Sequence, residues 1–158
     1  MSPHRSVPEL LVLQSLRLAG AADAGRIADR SFLPTDVIED LVRAAQAAGQ
    51  VEAFDFGTSR SLVLTEAGHA RLRELLDELA ALGAELRQVL EPLVATLPRF
   101  GRYPTQYRLA LRRARDGDLR WIAGIGILSC HTVWAELHQD LLSTLGRERR
   151  AETRPEER

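Results

Sequence analysis

The shortest supply in this chain is sulfur: 158 residues contain a single cysteine, Cys130. With no second thiol to pair with, an internal disulfide and any Cys-rich zinc site are excluded. Lysine is absent altogether, since all 21 basic residues are Arg, a bias that points to a GC-rich bacterial genome and not to mechanism. Long apolar runs are also missing; none approaches the roughly 18 residues of a membrane-spanning helix. Pro3 and Pro8 stand before a short Leu/Val stretch without a small-residue cleavage site, so no secretory leader is expected and the protein reads as cytoplasmic. Neither sign of charge dominates, the net being −1. What is present is 45% hydrophobic residues, enough for one cored domain or for a small domain with a helical extension.

The pattern along the chain predicts a mostly helical protein with one small β element. Ser6-Val7-Pro8-Glu9 has capping-box spacing with Pro early in a helix, and Leu10, Leu13 and Leu16 follow before Gly20, so a first helix is expected over about 7 to 18. A short helix holding Arg26, Ile27 and Arg30 ends near Ser31. Pro34 sets the first turn of a third, whose Val37, Ile38, Leu41, Val42 and Ala45 keep helical spacing until Gly49. Two β-rich runs, 51–56 and 60–64, are joined by Gly57-Thr58-Ser59 as a hairpin. Helix, turn, helix and ribbon in this order is the layout of a winged helix-turn-helix.

At Leu64-Thr65-Glu66-Ala67-Gly68 the layout resembles the winged-helix domain of multiple-antibiotic-resistance (MarR) type bacterial regulators, in which a Leu-Thr-x-x-Gly motif ends the wing and opens a long helix. Leu64 is expected to bury the last strand, Thr65 to cap the helix and Gly68 to allow close packing on its first turn. The resemblance covers about residues 8 to 80. It implies a DNA-binding, ligand-responsive homodimer in which the helix from Pro34 to Ala48 reads the major groove. Thr35, Asp36, Glu39, Asp40 and Arg43 would then face outward, with Thr58, Ser59 and Arg60 on phosphate. A second resemblance, carried by Leu97-Pro98-Arg99-Phe100-Gly101-Arg102-Tyr103 and by residues 131–138, is to the C-terminal part of actinobacterial winged-helix proteins that stand alone or accompany pyruvate phosphate dikinase-like chains.

Charge runs against that reading. Residues 1–68 hold six Arg and nine acids, net −3, and three of the five outward positions on the presumed recognition helix are carboxylates. DNA affinity rests largely on neutralising phosphates, so carboxylates facing the groove oppose it, although an acid can accept from cytosine N4. Asp36 in a first helical turn also answers the free amides and the helix dipole. The positive field lies elsewhere: residues 99–120 carry seven Arg against Asp116 and Asp118, net +5.

Residues 69–98 continue as a long helix, because Leu72, Leu75, Leu76, Leu79, Leu82, Leu86, Val89, Leu90 and Leu93 recur at spacings of three, four and seven. Gly83 and Pro92 are its weak points, Pro92 being a kink or a new start and Pro98 the end. Such a leucine surplus serves a dimer or an intramolecular bundle. The C-terminal helical region, 99–146, is read as the dimerisation and ligand part, and 147–158 as a disordered tail.

Arg108, Arg112 and Arg115 share one helical stripe near Tyr103 and Tyr107, a pattern that suits phosphates, an anionic ligand or an acidic partner, including the acidic N-terminal region itself. The Gly-x-Gly within residues 121–128 lacks a third glycine and a βαβ context, so that stretch is assigned to packing. Ser129 caps a last helix that buries Val133, Trp134, Leu137, Leu141 and Leu145 before Gly146. His131 and His138 lie seven residues and roughly 10 Å apart on one helix, too far to share a metal without a partner helix. With Arg102, Tyr103, Tyr107 and Trp134 they are the expected ligand-binding residues, for a small anionic or aromatic molecule. Ser129, Cys130 and His131 point in different directions and make no catalytic set; no cofactor is expected. Two other classes remain open: a protein-interaction module that does not bind DNA, and a small-molecule enzyme on the same scaffold.

Overall fold

A computed structural model describes residues 3–146, with side chains from residue 7 onward; the expected disordered tail, 147–158, lies outside the described residues. The architecture is mostly helical with one small antiparallel sheet. In chain order the elements are α1 (Pro3–Ala19), α2 (Ala24–Ser31), α3 (Thr35–Ala47), β1 (Val51–Phe56), β2 (Ser59–Leu64) and α4 (Glu66–Thr96). A 3-10 turn (Pro98–Gly101), α5 (Arg102–Arg115), α6 (Arg120–Ala123) and α7 (Cys130–Thr144) complete the chain. No described helix is long and apolar enough to cross a membrane.

The first helix starts earlier than its capping-box spacing suggested. α1 begins at Pro3 and carries Pro8 inside it, so Ser6 is a helical residue and not the cap. Pro3, at the start, removes no intrahelical bond, whereas Pro8, the sixth helical residue, forgoes the one its N–H would have made four residues back. α2 is capped by Asp23, whose carboxylate accepts the Arg26 N–H at 2.8 Å. It ends on Phe32 in the left-handed region, φ 58°, with the Phe32 N–H donating to Ala28 O. α3 buries Ile38, Val42 and Ala45 and leaves Glu39, Asp40 and Arg43 in solvent.

β1 and β2 pair from Val51 with Leu64 to Phe56 with Ser59. The turn is therefore the two residues Gly57-Thr58, not three, and Ser59 belongs to the strand. Gly57, at φ +62°, supplies the left-handed conformation that two-residue hairpins favour at their first turn position. A third segment joins the ribbon: Ala22 exchanges both backbone hydrogen bonds with Leu62, at 3.1 and 2.8 Å. A single bridging residue leaves no periodicity for sequence reading to find.

The junction into α4 follows its expected chemistry. Leu64 is buried, and Thr65 Oγ1 accepts the Gly68 N–H at 3.1 Å while donating to Gly49 O at 2.7 Å. A Cβ on Gly68 would stand 2.1 Å from Gln50 O, the same carbonyl that accepts the Thr65 N–H. Glycine is required there because backbone meets backbone. α4 then runs unbroken through Pro92 to Thr96. With Gln88 and Pro92 both exposed, the carbonyl that loses its partner lies on the solvent side, and no second helix start is needed.

Two apolar clusters result. The first joins α1, α2, α3, the hairpin and the front half of α4 through Leu10, Leu13, Leu16, Ile27, Ile38 and Leu72, and takes in Ala114, Leu119 and Ile122 from the C-terminal half. The second joins the rear half of α4 to the 3-10 turn, α5 and α7 through Leu86, Leu90, Phe100, Tyr103, Tyr107, Val133 and Leu137. Much of the α4 leucine stripe is thus covered within the chain by α1 and α5, whereas Leu82 and Val89 stay exposed. Fully buried Gln14 ties the halves together, donating to Ala114 O at 3.1 Å and accepting from Arg17 Nε at 2.9 Å. Arg71 on α4 grips Glu9 on α1 with two nitrogens, at 2.8 and 3.1 Å, and that hydrogen bonding holds its guanidinium above the usual arginine range.

Candidate functional site

Five of the eight residues expected to face DNA line one open groove, with Asp40 among the three outside it. Glu39 and Arg43 supply the α3 side, Thr58, Ser59 and Arg60 the hairpin side, and Asp23 and Gln46 complete it, in a volume of about 770 Å³. Thr35 and Asp36 stand exposed at the start of α3, outside this lining. The groove exists because α3 buries its Ile38–Val42–Ala45 stripe and so turns Glu39 and Arg43 outward beside the hairpin. Its charge is close to balanced. Arg43 is held by Asp40 at 2.8 Å, both largely exposed, and Arg60 is the register partner of Asp55. An exposed pair of this kind contributes little stability but does lower the positive field a phosphate would meet.

The six residues expected to bind a ligand fall in three separate places. Tyr103 is fully buried; its hydroxyl donates to Asp140 Oδ2 at 2.9 Å and accepts from Arg102 Nη2 at 2.7 Å. Burial is the main cause that raises its phenol above the ordinary tyrosine range. Arg102 also stacks over the Tyr103 ring at 4.7 Å, and Arg99 joins the cluster through Asp140 and Thr144. Tyr107 is buried between α5 and α4, where its hydroxyl donates to Leu79 O at 3.1 Å, and desolvation pushes this phenol still higher. Both tyrosines thus pack in the core and donate their hydroxyl hydrogens to partners within the protein.

His131, Trp134 and His138 do share one face of α7, with Leu137 and Leu141, around an apolar hollow of about 380 Å³. Trp134 is 44% and Leu145 70% exposed, so both leave the core they were expected to fill; Leu142 is buried in their place. Among the described residues no three His, Cys, Asp or Glu side chains gather as metal ligands would. The packing assigned to residues 121–128 divides in the same way: Ile122 is buried, whereas Ile125 is wholly exposed.

In the Ser129–Cys130–His131 run, Ser129 and Cys130 serve the fold, while His131 is exposed. Ser129 Oγ accepts the Thr132 N–H at 3.2 Å, capping α7, and donates to Gly124 O at 2.9 Å. Cys130 is buried, and desolvation pushes its thiol up to about 12, so at neutral pH it is a protonated, unreactive packing group.

The α5 arginines that form ion pairs, Arg102 and Arg115, find their acids on α7 and α4 and not on the N-terminal acidic face. Arg115 donates to Asp77 Oδ1 at 2.9 Å and to Leu76 O at 3.2 Å on α4. Arg120 and the Trp121 indole N–H both hold Asp118, and the Arg120 hydrogen bond is the main cause that lowers its carboxyl below the usual range. Sequence reading missed Asp140, Asp118 and Gln14 as organising groups, because one polar residue on an otherwise periodic helix carries no signal of where its partner will be. Comparison with protein-family models, with curated proteins and with solved structures gives no match.

Proposed function

We propose that residues 1–68 act as a winged helix-turn-helix and that the protein is a MarR-like transcription regulator, working as a homodimer that places α3 in a major groove and the hairpin against phosphate. The observation that carries this reading is the single polar groove shared by Glu39 and Arg43 on α3 and Thr58, Ser59 and Arg60 on the hairpin. The bridge from Ala22 to Leu62 supports it, since it anchors the ribbon beside α2 and α3. In this reading Arg43 exchanges Asp40 for a base edge or phosphate, Arg60 and the Thr58 and Ser59 hydroxyls meet the backbone, and Glu39 accepts from a cytosine amino group. A ligand held by the C-terminal region would act by changing the spacing of two α3 helices in the dimer.

The test is fluorescence anisotropy with DNA fragments from around the protein's own gene over a salt series. The expected result is selection of one palindromic fragment, steep weakening with salt, and a loss on Arg60→Ala with a salt slope lower by about one per arginine removed.

A second reading, a module that contacts protein in place of DNA, is favoured by a different observation. Asp36, Glu39 and Asp40 are all exposed on α3, and Phe54 and Phe56, 45% and 70% exposed, stand on one face of β1. Carboxylates repel phosphate, while exposed aromatics suit a protein surface. Failure to select any fragment even at low salt would discard the regulator and leave this module.

A further inference from the structure

Where α4 and α5 pack antiparallel, Gly83 lets the Tyr107 ring approach so closely that a Cβ at that position would stand 2.8 Å from two of its ring carbons. Beside this contact opens a cleft of about 260 Å³. Arg87 enters its lining from α4, and Arg108 and Thr105 from α5, with no acidic residue among the lining side chains. Of the eight arginines among the described residues after Gly83, four meet carboxylates within 4.0 Å: Arg99, Arg102, Arg115 and Arg120. Arg87 and Arg108 are exposed and have no ion-pair or hydrogen-bond partner among the described residues. Arg112, one turn beyond Arg108 and likewise exposed, adds to the same field.

In a chain with more acids than bases, two guanidiniums brought to one concavity without a carboxylate leave a local charge of about +2. Their mutual repulsion is relieved when an anion sits between them. A guanidinium offers paired N–H donors in a fixed fork that matches the oxygens of carboxylate or phosphate. Thr105 adds a hydroxyl, and Gly83, Ala84 and Tyr107 give a small apolar floor.

We propose that this α4–α5 cleft binds a small dianion, a phosphate monoester or a dicarboxylate, with Arg87 and Arg108 each taking one charged end or edge. The site is independent of whether the groove at α3 takes DNA. It is also distinct from the Arg102–Tyr103 cluster and from the His131–Trp134 face.

The test is calorimetric titration of the full chain at about pH 8, where phosphate is a dianion, with inorganic phosphate and with succinate, each against chloride at matched ionic strength. Saturable binding of either dianion is the expected result; phosphate alone would identify the phosphate-ester class and succinate alone the dicarboxylate class. Arg87→Ala and Arg108→Ala should each weaken binding by about tenfold or more, because both side chains are exposed and their removal leaves the core intact. Arg113→Ala, which removes an exposed arginine stacked on Trp121 at 5.8 Å, should leave binding unchanged. The proposal is overturned if neither dianion binds beyond chloride, or if Arg113→Ala weakens binding as much as the two cleft variants do.

Discussion

The two apolar clusters are built by different means. The N-terminal cluster is aliphatic, made of Leu, Ile, Val and Ala side chains, and its precision comes from backbone devices: the Asp23 and Thr65 caps, the Ala22–Leu62 bridge and the glycine contact at Gly68. The C-terminal cluster centres on Phe100, Tyr103 and Tyr107, and its helices are tied by side chains with a polar end, Tyr103 to Asp140 and Tyr107 to Leu79 O. An aliphatic core specifies shape only by volume, so its register must be set by the main chain. An aromatic with a hydroxyl fills volume and fixes register at once. The contrast teaches why conserving only hydrophobicity would preserve the first cluster and damage the second.

Phe100→Ala is expected to have the largest effect, about 3–5 kcal/mol, because a fully buried ring would leave a cavity between α4, α5 and the 3-10 turn. Denaturant unfolding followed by circular dichroism and by tryptophan fluorescence measures it. Coincident transitions would mean that Gln14 and Trp121, which touch both halves, make the clusters one cooperative unit; separated transitions would break that picture. Next comes Gly68→Ala, at about 1–3 kcal/mol, since the added methyl meets Gln50 O and must push the hairpin from α4. Faster amide exchange at Thr65 N–H, which donates to that carbonyl, is its local signature.

Tyr103→Phe keeps the ring and removes the hydroxyl's two bonds, to Asp140 and from the exposed Arg102, so about 0.5–1.5 kcal/mol is expected from the same unfolding measurement. A loss as large as that of Phe100→Ala would mean the hydroxyl, not the ring, organises the second cluster. The smallest effect is pH-dependent. Asp118 has its carboxyl lowered chiefly by Arg120, so its contribution is present above the ordinary carboxylate range and fades as pH falls through that range towards its lowered folded value. Asp118→Asn should make the acid limb of the stability profile shallower, and Trp121 fluorescence, whose indole N–H donates to Asp118, should lose its acid response.

Legibility differed between the regions for physical reasons. In the N-terminal half, helical spacing, Gly49, Thr65 and Gly68 announced their roles because caps and close backbone contacts are local in sequence. Even there, Ser59 and the start of α1 were misplaced by a few residues, since turns and helix ends compete over small energies. In the C-terminal half, Trp134 and Tyr103 have similar apolar character, yet Trp134 is left exposed and Tyr103 is enclosed. The face of a helix that meets its neighbours depends on how those neighbours cross, which periodicity within one helix does not contain.

By itself the sequence determined the mostly helical class, the hairpin, the capped junction at Thr65, the acidic character of the first 68 residues and the basic character of 99–120. Each of these rests on spacing, turn chemistry or charge, all properties of neighbours along the chain. Only the tertiary structure decided that the α4 leucines close over α5, that both tyrosines spend their hydroxyls inside the protein, and that Arg87 and Arg108 reach one cleft. Those outcomes join residues twenty or more positions apart, and they follow from which surfaces exclude water together.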